Sequence, residues 1–227
     1  MNKLNNFKII VPIFNEFENL KDFIYILIKN NQDISKFFFV DNGSTDKKIK
    51  ELLSNYNLHH ISSEENLGFG GGIKLGINNV VADYICWMPC NLKVNPNSVL
   101  DFIQGINKPN KNTLYKAIRS ERPFIDVIKT CIFSFAQSVL LKSFIYDSGG
   151  TPTLVHKSFF CKFENFPNDY NFETYVLVKA KKDKLDIKRE KVKYGRRKFG
   201  KSHWQRGLLS EIIFIKNMHY SNKNWKF

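Results

Sequence analysis

Nowhere in this chain do two cysteines stand in a C-x-x-C pair. The four present, Cys86, Cys90, Cys131 and Cys161, also lack a convincing zinc spacing with histidine. A zinc ribbon, a dithiol redox centre and a disulfide framework are therefore not what organises the fold. Reduced, mostly buried thiols in a cytosolic protein are the expectation. Long apolar runs are missing as well. The longest apolar region, residues 124–146, is broken by Asp126, Lys129 and Lys142. Its uncharged stretch, 130–141, is too short to span a bilayer. No signal peptide is expected either, because residues 1–6 lead directly into an apolar strand. Internal repeats and low-complexity linkers are absent. Acidic residues are scarce, with 21 Asp and Glu against 35 Lys and Arg, for a net charge of +14.

What is there points to an ordered globular protein that binds anions. The 227 residues are 43% hydrophobic and 15% aromatic, enough for one domain with a substantial core. The basic excess is uneven and concentrates between Lys179 and Arg206. Such a charge fits nucleic acid, phosphorylated small molecules or an anionic membrane surface. No RNA- or DNA-reading motif accompanies it, so a nucleic-acid partner is not expected.

Residues 82–97, ADYICWMPCNLKVNPN, organise the rest. The apolar run 84–88 fits a strand buried on both faces. It stops at Pro89 and gives way to the polar turn Cys90-Asn91-Leu92-Lys93. Asn95-Pro96 then reads as N-cap and first helical residue. A strand, a polar tip and a helix is where open α/β sheets place their chemistry. Upstream, residues 7–14, 36–40 and 58–61 read as strands, each followed by a helix with apolar residues at 3.6-residue spacing. Residues 66–72 read as a glycine loop leading into the third of these helices. Residues 114–118 complete a β-α-β-α-β-α-β-α-β order, which predicts an α/β fold with a mostly parallel sheet flanked by helices. Beyond Arg119 the regularity fades. Helices are expected over 124–144 and 171–180, a basic strand over 185–194, and a last helix from Trp204. The helix over 124–144 fits a membrane-surface helix or one packed on the sheet.

Two nucleotide-binding patterns fail on context. GFGGG (68–72) has Ile73 where a dinucleotide loop needs its third glycine, and it follows the third strand. Residues 195–202 satisfy GxxxxGK[ST], but too few residues follow for the strands a P-loop NTPase requires. The stronger pattern is a series of polar clusters at strand ends: Asn15-Glu16, Asp41 to Asp46, and Asn91 to Lys93. Carboxylates there are placed to accept from ribose hydroxyls or a base.

These clusters carry a resemblance. VPIFNE (11–16), VDNGSTD (40–46), NLGFGGGIKLG (66–76), YICWMPCNLKVNP (84–96), RSER (119–122), DSGG (147–150) and RRKFGKSHW (196–204) are similar to family 2 glycosyltransferases of the GT-A fold, nearest to the dolichol- and polyprenyl-phosphate sugar transferases. The resemblance covers essentially the whole chain. It implies a single glycosyltransferase domain over 1–227, with a nucleotide-sugar-binding half (1–118) and an acceptor-binding half (119–227). It also implies a nucleotide-diphosphate-sugar donor, inverting transfer to a polyprenyl-phosphate or lipid-linked glycan acceptor, and a peripheral position on the cytoplasmic face of a membrane. Pro12, Phe14, Glu16, Asp41, Asn42, Gly68 and Asn91 are the residues it implies around the nucleotide sugar. Arg119, Arg122, Arg197, Lys201 and Ser202 would face phosphates, and Asp147 the acceptor.

One departure stands out. The family's tip reads Asp-x-Asp-x-Gln and holds a divalent metal against the donor diphosphate; here the same positions are Pro89, Asn91 and Lys93. Mg²⁺ and Mn²⁺ prefer carboxylate oxygens, and this tip has none. No cofactor is therefore expected, with Mg²⁺ or Mn²⁺ the alternative, and Lys93, with Arg119, Arg122 and Arg197, is expected to supply the positive charge instead. The competing expectation is a catalytically silent relative that binds a nucleotide or a protein partner.

Overall fold

The computed structural model of the chain describes residues 4–163 and 166–200. In chain order it forms β1 (Phe7–Ile13), α1 (Phe17–Lys29), β2 (Phe37–Asn42), α2 (Lys47–Asn55), β3 (His60–Ser63), α3 (Gly68–Asn79), β4 (Tyr84–Trp87), α4 (Pro96–Gln104), β5 (Thr113–Ser120), α5 (Phe124–Leu140), β6 (Thr153–His156), α6 (Asn171–Lys182) and β7 (Asp186–Lys193). The strands make one seven-stranded sheet in the order β3-β2-β1-β4-β6-β5-β7. Neighbours pair in parallel except at β6, which runs antiparallel to both β4 and β5. The sheet thus runs without a break through both halves of the chain. The C-terminal ends of β1, β2, β4 and β5 lie along one edge.

Alternation along β1 explains why helices cover both faces. Ile9, Val11 and Ile13 join Phe23, Phe37, Phe39, Val99 and Ile103 on the α1/α2/α4 side. Ile10 joins Val40, Ile73, Ile85, Trp87 and Phe172 on the α3/α6 side. A strand covered on both faces must be apolar at every position, as β4 is. The helix start at Asn95-Pro96 forms as its sequence predicts: Asn95 Oδ1 accepts from the Asn97 N–H at 2.9 Å. Asp46 likewise caps α2, accepting from the Lys48 N–H.

The structure departs from the sequence reading in four places. The glycine segment is not a loop before a helix but the first turns of α3 itself. There the missing side chains let the helix lie close to β1: a Cβ on Gly76 would stand 2.5 Å from Ile10 Cγ2. The third strand sits two residues later than expected, at His60–Ser63. β5 extends to Ser120 and so takes Arg119 into the sheet. β6 carries no signal that the sequence pattern registers, being four residues long, yet it fills the slot between β4 and β5. The expected helix from Trp204 lies outside the described residues.

Candidate active site

The loops after β1 and β2 are laced together. The Asn15 N–H donates to Ser44 Oγ at 3.0 Å, and the Thr45 N–H donates to Asn15 Oδ1 at 2.9 Å. Asn15 adopts a left-handed backbone, which asparagine tolerates, and this turns the chain sharply out of β1. Glu16 follows, next to Phe14 and the buried Pro12. Burial pushes the Glu16 carboxyl above its usual range, and the Arg197 guanidinium, 3.4 Å away, partly offsets this. Asp41, buried at the end of β2, accepts from the Ser44 N–H at 3.1 Å. Asn42 is spent on the fold: its amide donates to Gly68 O and Asn66 Oδ1, and its oxygen accepts from the Leu67 N–H. Gly68 faces the 167–169 segment, where a Cβ would stand 2.4 Å from Asn168 O, and its φ is +77°. Asn42 and Gly68 thus shape the floor of the site rather than offer free groups to it.

The tip after β4 is a tight turn. Leu92 is left-handed (φ 56°), and Asn91 Oδ1 accepts from the Lys93 N–H at 3.1 Å. Lys93 O in turn accepts from the Gly195 N–H at 2.7 Å, which ties the segment after β7 to the tip. That segment also reaches α1, where Lys198 pairs with Asp22, and it carries Arg197 to Glu16. It forms a strap between the tip and the start of α1. Lys201 and Ser202, also expected at phosphates, lie outside the described residues.

On the other side, Arg119 is locked in place. Its Nε donates to Asp147 Oδ1 at 2.6 Å, its Nη2 stands 2.5 Å from the same oxygen, and its backbone N–H donates to Asp147 Oδ2 at 2.8 Å. Asp147 is 1% exposed, and both its oxygens are engaged. It orients a guanidinium and is poorly placed to accept a proton. Tyr194 lies beneath Arg119, with the guanidinium carbon 5.8 Å from the ring centroid. Arg122 Nη1 donates to Thr130 Oγ1 at 3.0 Å, and its buried Nε has no hydrogen-bond partner among the described residues.

Lys93, Arg119, Arg122 and Arg197 converge. Burial lowers the pKa of the Lys93 amine most, Arg197 and Arg119 lower it further, Asp126 pulls it back up, and Arg122 lowers it least. Burial and Arg119 likewise depress Arg122. Cations held this close repel one another and favour a polyanion between them. A divalent cation suits the place poorly. Pro89 has no side-chain oxygen, the Asn91 oxygen is used by its own turn, and Lys93 is itself positive. Among the described residues no group of three or more His, Cys, Asp or Glu could hold a metal ion.

The sequence does not announce what holds this arrangement up. Helix α5 turns a polar face inward. Thr130 accepts from Arg122, the Asp147 N–H donates to Ser134 Oγ at 3.0 Å, and Gln137 bridges Thr174 (2.7 Å) and Ser148 (2.9 Å). Its apolar residues face out instead: Phe124, Ile125, Ile132, Phe135 and Val139 are all more than half exposed. The same face continues into Phe144, 76% exposed, and a groove lined by Phe135, Val139, Lys142, Phe144 and Tyr146. The apolar stripe that could have packed on the sheet does not do so. Among the described residues no helix is long and apolar enough to cross a membrane.

Comparison with known proteins places this geometry. The pattern of Glycosyl transferase family 2 matches residues 8–162. Among solved structures, glucosyl-3-phosphoglycerate synthase from Mycobacterium tuberculosis in complex with phosphoglyceric acid superposes with a TM-score of 0.71 at 14% identity, over 98% of this chain and 81% of that one. The same enzyme with Mn²⁺, UDP-glucose and phosphoglyceric acid gives 0.68 at 15% identity, over 98% and 81%. Its complex with Mn²⁺, UDP and glucosyl-3-phosphoglycerate gives 0.68 at 14%, over 96% and 78%. At this identity the likeness is one of fold, and that fold is the GT-A arrangement of glycosyltransferases.

Proposed function

The chain belongs to glycosyl transferase family 2, and we propose that it transfers a sugar from a nucleotide-diphosphate sugar to a polyprenyl-phosphate or other lipid-linked acceptor at a membrane surface. The observation that carries this reading is the gathering of Lys93, Arg119, Arg122 and Arg197 past the strand ends: Arg119 and Arg122 share Thr130, Arg119 lies over Tyr194, and the segment that follows Tyr194 holds the Lys93 carbonyl and brings Arg197 to Glu16. A diphosphate on one side of this cluster and an acceptor phosphate on the other would both be matched in charge. Pro12 and Phe14 would border the base, and Glu16 and Asp41 would accept from base or ribose.

With a phosphate acceptor the chemistry needs no strong general base. An acceptor phosphate oxygen, already anionic, attacks the anomeric carbon from the face opposite the leaving group. The bond from that carbon to the donor phosphate oxygen breaks, and its electron pair stays on the departing nucleoside diphosphate. The anomeric configuration inverts, and no proton has to move. This suits a site whose buried carboxylate, Asp147, is fully engaged in orienting Arg119.

Helix α5 supports a lipid-linked acceptor. Its outer face is apolar and bears the exposed Lys129, with Lys142 lining the groove beside it. An apolar face rimmed by lysines, in a protein of charge +14, complements an anionic lipid surface. Tyr146 lines the groove and precedes Asp147, the partner of Arg119, so a lipid chain held there would lie near that guanidinium. The localisation proposed is accordingly peripheral, on the cytoplasmic face.

A second reading, a silent relative that binds nucleotide without turnover, rests on the tip that lacks metal-binding carboxylates. The deciding experiment offers UDP- and GDP-sugars with polyprenyl phosphate in detergent or vesicles and follows sugar transfer to lipid. Product in the lipid phase is expected. Nucleotide binding with no turnover toward any donor would establish the second reading instead.

A further inference from the structure

We propose that fixed side-chain cations centred on Lys93 hold the donor diphosphate here without a divalent ion, an inference that rests on the nucleotide-diphosphate donor proposed above. The tip has the right place in the fold and the wrong ligands for a metal. It follows β4 at the centre of the sheet, and Pro89, Asn91 and Lys93 are the residues that the resemblance matches to the family's metal-holding tip. Asn91 is the one oxygen donor among the three side chains. Its oxygen already accepts from the Lys93 N–H, and a single neutral amide oxygen is a weak ligand for a hard dication. An incoming dication would also meet the Lys93 ammonium, whose carbonyl is held by the segment that carries Arg197, with Arg119 and Arg122 gathered at Thr130 and only Asp126 acting on the amine with the opposite sign. The same surroundings attract a diphosphate, whose charge relieves the mutual repulsion of these groups.

The cluster is also built to stay where it is. Asp147 fixes Arg119 through three contacts, Thr130 anchors Arg122, and the Gly195 N–H grips the Lys93 carbonyl from the strap that brings Arg197. Preorganised charge aimed at a leaving diphosphate stabilises the charge that develops as the glycosidic bond breaks, with no reorganisation at the moment of reaction. The buried Arg122 Nε, without a hydrogen-bond partner among the described residues, adds an unsatisfied donor at the same place. The positive charge that a metal ion would supply to the diphosphate is here divided among several side chains, with Lys93 in the tip itself.

Calorimetric titration of the whole chain with UDP and GDP, in EDTA and again in Mn²⁺, tests this directly, with UMP and GMP as controls. The diphosphate is expected to bind equally well in both conditions. Lys93→Ala is expected to weaken it by about thirty-fold or more, as loss of one partner from a half-buried charge pair does, with little effect on the monophosphate. Lys93→Arg, which keeps the charge, is expected to retain most of the affinity, and unchanged melting of both variants shows that they fold. Diphosphate binding that disappears in EDTA and returns with Mn²⁺ would overturn the inference while leaving the donor assignment standing. So would metal-independent binding that Lys93→Ala leaves untouched. If neither diphosphate binds the native chain in either condition, the donor assignment itself falls, and this inference with it.

Discussion

Beneath the proposed site a fully buried ion pair ties the sheet to α6. Lys116 Nζ lies 2.7 Å from Glu173 Oε2 and donates to Thr153 Oγ1 at 2.9 Å, while Trp87 Nε1 donates to Glu173 Oε1 at 2.8 Å. This network joins β5, β6, α6 and Trp87, the last residue of β4, which leads through Met88 and Pro89 into the tip. Burial lowers the pKa of the Lys116 amine, and Glu173 pulls it back. Removing one partner of such a pair strands a charge in the core. Lys116→Met is therefore expected to cost about 3–5 kcal/mol in urea unfolding. Lys116→Met combined with Glu173→Gln should cost clearly less than the two single changes added together, because the stranded charge disappears. The cysteines give a simpler check of burial. Cys86 and Cys90 are buried and Cys131 and Cys161 exposed, and burial pushes the Cys86 and Cys90 thiols up, away from the reactive thiolate. Ellman's reagent should modify two thiols promptly in the native protein and the other two only after unfolding.

Helices α3 and α5 pose opposite packing problems. α3 lies so close to β1 that Gly76 has no room for a methyl group, since Ile10 Cγ2 would be 2.5 Å away and Ile10 is fully buried. Gly76→Ala gains about 1 kcal/mol of helix propensity, whereas overpacking a dense core costs about 1–3 kcal/mol. The clash should win, and a thermal melt is expected to show a less stable protein. α5 instead has apolar surface with nothing of the described fold against it. If that face meets lipid, Ile132→Asp with Phe135→Asp should reduce binding to anionic vesicles at least about ten-fold in a flotation assay, since burying one such side chain is worth about 1.5–3 kcal/mol. The variant should keep its fold, because both residues point away from the polar inner face formed by Thr130, Ser134 and Gln137. Unchanged vesicle binding would remove this helix from the acceptor proposal.

At the scale of the molecule, two sets of cations work in different surroundings. Those rimming α5 are open to solvent, whereas Lys93, Arg119, Arg122 and Arg197 are only partly exposed. Salt shortens the screening length from about 10 Å at 0.1 M to about 3 Å at 1 M and acts chiefly on exposed charge. Raising the salt should therefore release the protein from anionic vesicles well before it weakens nucleoside-diphosphate binding. The single sheet makes both sites one mechanical unit. β5 carries Arg119 and pairs with β7 along its whole length, and β7 leads directly into the strap that holds Arg197 and Lys93.

The sequence by itself determined the parallel strands β1 to β4, their helices, the cap at Asn95-Pro96 and the polar clusters at strand ends. Each is encoded locally, by apolar spacing, by a capping side chain or by a proline that ends a ladder. It also showed that the tip lacks carboxylates, since that needs only the residues at three positions. Tertiary structure alone decided the rest. β6 exists because the slot between β4 and β5 must be filled, and four residues carry too little periodicity to reveal it. The face that α5 turns inward was equally hidden. Its apolar stripe is the stronger sequence signal, but the inner face has polar groups to meet: Thr130 accepts from Arg119 and Arg122, Ser134 accepts from the Asp147 N–H, and Gln137 bonds Ser148 and Thr174. Burial of charge thus overrides apolar patterning there, because a guanidinium or carboxylate without partners costs more than a few exposed side chains.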